Sequence, residues 1–101
     1  MLVQFSVVPL GSGTSLSQKI AGIIDIVDKS GLDYRLTAMG TIVEGTWDEV
    51  IALLNLCRQE ALKSSNRVYM TVAIDDRVDE SGRITGKLDS VQKRLGRQLK
   101  I

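Results

Sequence analysis

A chain of 101 residues is long enough for one domain and too short for two. Its 13 Lys and Arg stand against 12 Asp and Glu, and the net charge of +1 supplies no global field to draw in nucleic acid or a membrane surface. A hydrophobic fraction of 44% beside 25% charged residues excludes a disordered chain. With no histidine, the commonest general base and metal ligand are both missing, so neither a metal nor a cofactor is expected. Cys57 is the only cysteine, which rules out an internal disulfide and fits a reducing, cytoplasmic setting. It lies in an apolar helical stretch where inert packing is its expected role. The N-terminus lacks the basic start of a signal peptide, and no run approaches the roughly 18 apolar residues of a membrane span.

Residues 2–9 alternate Val3, Phe5 and Val7 with Gln4 and Ser6, the pattern of a first strand that Pro9 is expected to end. Gly11-Ser12-Gly13-Thr14 then forms a loop, and the spacing of Ser15 and Gln18 predicts a capped helix start. Leu16, Ile20, Ile23, Ile24 and Val27 lie on one helical stripe, and Gly31 closes the helix. Residues 33–39 and 41–45 read as two strands of a hairpin turning at Met39-Gly40-Thr41. Thr46 caps a second helix with Glu49 in the capping-box position; Val50, Leu53, Leu54, Cys57 and Ala61 form its buried stripe. Residues 67–75 are the most strand-like run, with Val68, Met70, Val72 and Ile74 in one phase and Tyr69, Thr71 and Ala73 in the other. A polar stretch from Asp75 to Gly86 precedes a third helix marked by Leu88, Val91, Leu95 and Leu99.

This order predicts an α+β fold: a ferredoxin-like βαββαβ sandwich with a four-stranded antiparallel sheet and an extra C-terminal helix, as a single domain over residues 1–101. Two helices cover one sheet face. The other carries Gln4, Ser6, Val8, Tyr69, Thr71 and Ala73, a mixed surface suited to a partner subunit or a ligand.

Several residue groups bear on chemistry. The loop from Gly11 to Ser15 joins a strand to a helix start and matches neither a P-loop nor a dinucleotide fingerprint, so it reads as an anion- or ligand-facing turn or as a plain connection. Glu44 sits at a strand end before Gly45 and the Thr46 cap, where a carboxylate either accepts hydrogen bonds from an amino-heterocycle or reaches water. Asp75, Asp76 and Arg77 follow the last strand as a site or as a self-neutralising surface cluster. Trp47 and Tyr69 are the aromatics able to stack on a ring. Lys87, Lys93, Arg94, Arg97 and Lys100 form a solvated helix face, and the exposed strand aromatics of an RNA-binding sheet are missing. The loop over residues 10–15 also holds no arginine, which argues against a phosphate-cradling hydrolase on this topology.

Val7-Val8-Pro9-Leu10-Gly11-Ser12-Gly13, Met39-Gly40-Thr41-Ile42-Val43-Glu44-Gly45 and Ile74-Asp75-Asp76-Arg77 together resemble the thiamine-binding protein family over nearly the whole chain. The resemblance implies a non-enzymatic domain that binds thiamine or hydroxymethylpyrimidine and assembles into dimers or tetramers. It implies Glu44 as the anchor of the aminopyrimidine, Thr41 as a hydroxyl partner and Met39 packed on the ring. Ser6, Gly11, Ser15, Asp75 and Arg77 are further candidates, and Tyr69 supplies an aromatic wall of the type such a ligand needs. The alternative function is a regulatory or assembly domain that binds another small molecule or a partner subunit through its sheet.

Overall fold

A computed structural model describes residues 1–11, 16–79 and 81–101. The elements are β1 (Leu2–Leu10), α1 (Leu16–Lys29), β2 (Asp33–Thr37), β3 (Gly40–Glu44), α2 (Trp47–Leu62), β4 (Arg67–Asp75) and α3 (Arg83–Leu95). The strands form one sheet in the order β2-β3-β1-β4, with every neighbouring pair antiparallel. This is the expected βαββαβ plan followed by a third helix.

Register sorts the side chains into two faces. Val3 lies opposite both Val43 and Ile74, and Phe5 opposite both Thr41 and Val72, so these residues share the inner face. Leu2 lies opposite Glu44 and Asp75, Gln4 opposite Ile42 and Ala73, and Ser6 opposite Thr71, which sets them on the outer face. On the inner face Val3, Phe5, Val7 and Val43 close a core with Ile23 and Val27 of α1 and with Val50, Leu53, Leu54, Cys57 and Ala61 of α2. Burial pushes the Cys57 thiol up to about 11, so slow alkylation of the folded chain at pH 8, with rapid reaction in denaturant, is the expected result of a thiol-labelling time course.

The α2 start follows the expected capping box. The Glu49 carboxylate accepts from the Thr46 main-chain N–H at 2.9 Å, and the Glu49 N–H donates to the Thr46 hydroxyl at 3.2 Å. These bonds hold the Glu49 carboxyl below its ordinary range. Thr46→Ala is expected to cost about 1 kcal/mol in a urea titration.

Four features depart from the expectations, each for a physical reason. Pro9 does not end the first strand: it is buried inside β1, opposite Val68. Beyond Phe5, β1 is paired with β4 but no longer with β3, and a residue without an N–H is tolerated on such an open edge. The hairpin turns at Ala38-Met39, with Gly40 already in β3 opposite Thr37. The Thr37 hydroxyl holds that turn by donating to the Gly40 carbonyl at 2.7 Å and accepting from the Met39 N–H at 3.3 Å, a local bond that replaces the usual Asn-Gly chemistry. Val72 and Ile74 keep their inner phase but are exposed, because β4 is an edge strand. Finally, α3 begins at Arg83, inside the stretch expected to be a polar loop, and ends at Gly96 in the left-handed region, leaving Leu99 outside the helix.

Candidate functional site

Two places in the fold bring candidate residues together, one at each end of the sheet. The first arises because β3 starts at Gly40 and its pairing with β1 ends at Thr41, opposite Phe5, while β1 runs on to Leu10. A side chain at Gly40 would place its Cβ 3.0 Å from the Phe5 carbonyl oxygen, so only glycine lets the hairpin end this close to β1. The gap left beside β1 is a cavity of about 220 Å³ between α1 and the hairpin. Ile20 and Ile24 of α1, Val7 of β1, and Leu36 and Met39 of the hairpin give it apolar walls. Ser6, Thr37 and Thr41 border it as polar residues, Thr41 from the inner face and Ser6 and Thr37 from positions of the outer phase, and among the described residues none of its lining side chains is a carboxylate, an amine or a guanidinium.

Of the residues named from sequence, Ser6, Met39 and Thr41 meet here. Thr41 is buried on the inner face, whereas Met39 is 86% exposed at the hairpin apex. Gly11 follows β1 with φ +65°, on the path from that strand toward α1. Ser15, with Ser12, Gly13 and Thr14, lies outside the described residues.

The second place is the opposite corner of the outer face, where α3 meets the sheet. Glu44 Oε1 accepts from the Arg83 N–H at 2.8 Å and from the Ile84 N–H at 3.3 Å. The residue preceding α3 is Gly82, which has no side chain to cap with, so Glu44 does that work from 39 positions upstream. Arg83 is buried. Its guanidinium donates to the Asp75 carbonyl at 3.0 Å and pairs with the Asp75 carboxylate, which also receives Lys87 Nζ at 3.0 Å. Arg83 and Lys87 hold the Asp75 carboxyl below its ordinary value. A carboxyl lowered in the folded state contributes stability above its unfolded value and loses that contribution as pH falls through the folded one. Acid titration below about pH 4 is therefore expected to loosen the start of α3, read as faster amide exchange there.

Beside this corner runs an open groove of about 520 Å³ bordered by Met1, Glu44, Trp47, Asp76, Arg77 and Ser81. Glu44 Oε2 is buried and has no hydrogen-bond partner among the described residues. Thr41 and Glu44 stand three positions apart in β3, so they face opposite sides of the sheet and do not converge. Asp75 and Arg77 fall with Glu44 at the α3 corner, and Tyr69 is exposed on the outer face opposite Val8.

The sequence reading assigned Ile20 and Ile24 to the core stripe of α1. Their half-burial makes them cavity wall instead, and only the short β3 exposes them. Arg83 stands in a stretch read as a polar loop, and its main-chain N–H meets a carboxylate, that of Glu44, 39 positions upstream, which no local pattern reveals.

The fold and the chain both have known counterparts. A UPF0045 protein of Methanocaldococcus jannaschii is 31% identical over 91 residues, covering 90% of this chain and 91% of that one. A UPF0045 protein of Mycobacterium tuberculosis is 34% identical over 96 residues, covering 94% of each. The crystal structure of the Methanocaldococcus protein superposes with a TM-score of 0.81 over 91% of this chain and 95% of that chain. A Thermotoga maritima protein assigned provisionally to thiamine biosynthesis or salvage shares the fold at a TM-score of 0.77, over 89% of this chain and 96% of its own, with 20% identity. The profile of the thiamine-binding proteins matches residues 3–92. On that match, which spans every element from β1 into α3, the chain belongs to the thiamine-binding protein family.

Proposed function

We propose that this chain binds thiamine or its hydroxymethylpyrimidine half, without chemical catalysis, in the cavity between α1 and the β2–β3 hairpin. The observation that carries the reading is the make-up of that cavity: apolar walls from Ile20, Ile24, Leu36 and Met39 around the buried, hydroxyl-bearing Thr41. Binding sites for small molecules are largely apolar with a few placed polar groups. At about 220 Å³ the space suits one substituted ring rather than the larger ligands that fill cavities of roughly 300 Å³ and more. Thr41 supplies a hydroxyl to hydrogen-bond a ring nitrogen or the amino group, and among the described residues the lining holds no acid, amine or thiol. Family membership and the description of the Thermotoga protein support the choice of ligand.

In this reading Thr41 and Met39 touch the ring, Ser6 borders it from the strand edge, and Gly11 lies just past the end of β1. Glu44, Asp75 and Arg77 serve the α3 corner. The protein acts as a single cytoplasmic domain over residues 1–101. Copies assemble into a dimer or tetramer, an arrangement favoured by the exposed α3 stripe of Leu88, Val91 and Leu95. Calorimetric titration with hydroxymethylpyrimidine and with thiamine tests the ligand, and light scattering coupled to gel filtration tests the assembly. Ile24→Trp, which fills the cavity from α1, is expected to weaken both ligands at least tenfold while the chain stays folded. If neither ligand binds the unaltered protein at millimolar concentration, the proposal is wrong.

A further inference from the structure

A second space lies across β1 from the ring cavity. On the outer face a shallow depression of about 340 Å³ lies over Gln4, Ser6, Thr71 and Ala73, with Met39 leaning on its rim. It shares Phe5, Ser6 and Met39 with the inner cavity. The two spaces lie on opposite faces of β1 and adjoin along one edge of that strand, because β3 begins at Gly40 and is paired with β1 only as far as Phe5, leaving the edge away from β4 open beyond it. Met39, at 86% exposed, is the side chain common to both that is most free to move, and an unbranched thioether adapts readily to what lies beneath it.

From this connection we infer that the outer depression is the second half of a bipartite site, with Met39 and Thr71 deciding whether the ligand is a lone pyrimidine or one extended by a second, cationic ring. The inference rests on the proposed function and names the part of the ligand that the inner cavity has no room for. The chemistry of the depression fits such a ring. Gln4, Ser6 and Thr71 offer amide and hydroxyl oxygens as acceptors, Met39 offers a polarizable sulfur, and none of the side chains lining the depression carries a positive charge to repel it. A ligand of two rings on a one-carbon bridge is bent by construction. It can seat its pyrimidine inside and turn its second ring over the edge of β1 onto the outer face.

The test is calorimetric titration of hydroxymethylpyrimidine and thiamine against the unaltered protein, Thr71→Leu and Ala73→Leu. Both positions are exposed on the sheet surface, so a larger side chain fills the depression without entering the core, and each variant controls for misfolding of the other. The expected result is thiamine binding at least tenfold weaker in both variants, with pyrimidine affinity within twofold of the unaltered protein. Pyrimidine binding with a thiamine affinity unmoved by either substitution overturns the bipartite site and leaves the proposed function standing. Failure of the unaltered protein to bind either ligand overturns the function itself, and the bipartite site with it.

Discussion

Glu44→Ala is expected to weaken the attachment of α3 by about 2–3 kcal/mol while leaving pyrimidine affinity within twofold. One carboxylate oxygen accepts from two main-chain N–H groups at the start of α3, and the residue at the N-cap, Gly82, has no side chain to replace it. Removing it leaves two donors unsatisfied at the positive end of a helix dipole, and it takes away a negative charge at the first helical residue, the buried Arg83. The loss falls on α3 because Arg83 and Ile84 are its only buried residues, so the helix opens without the rest of the core. Amide exchange in the first turn should speed by roughly 30- to 150-fold, the equivalent of that energy. Glu44→Gln keeps an oxygen acceptor and should show a smaller effect. The opposite outcome, unchanged exchange in α3 with pyrimidine binding abolished, would restore Glu44 to the ligand site that the sequence suggested for it.

Phe5→Ala is expected to cost about 3–5 kcal/mol, a large part of the roughly 5–15 kcal/mol available to a domain of this size. Phe5 is 3% exposed, lies opposite both Thr41 and Val72, and is the only phenylalanine in the chain, so its removal leaves a void that smaller neighbours do not fill. It also lines the ring cavity, so the protection that the pyrimidine gives against thermal unfolding should fall with it. Val78→Ala supplies the control: that side chain is 99% exposed, and its truncation should move stability by no more than about 0.5 kcal/mol. Comparable midpoints for the two variants in urea would show that the inner face is not the stabilising core.

The candidate site was half legible in the sequence. Met39 and Thr41 were named from a motif and Ser6 from the first strand, and all three line one cavity. Glu44 was named from the same motif, yet it points to the other face, since a strand sends residues three apart to opposite sides. The motif joins the two positions in sequence, and the pleat separates them in space. The cavity wall from α1 was hidden for a different reason. Ile20 and Ile24 follow the same periodicity as Ile23 and Val27, and periodicity tells which face a residue occupies but not whether a strand reaches far enough to cover it.

Periodicity and local capping chemistry were sufficient for the order of elements, the inner phase of each strand and the whole buried stripe of α2, because these depend on residues within a few positions of one another. Only the folded chain decided where β3 stops beside β1, that Pro9 lies within a strand, and that α3 starts at Arg83 under the carboxylate of Glu44. Each of these depends on partners far apart in the chain, whose pairing is set by packing and main-chain hydrogen bonding across the sheet and leaves no trace in a local pattern.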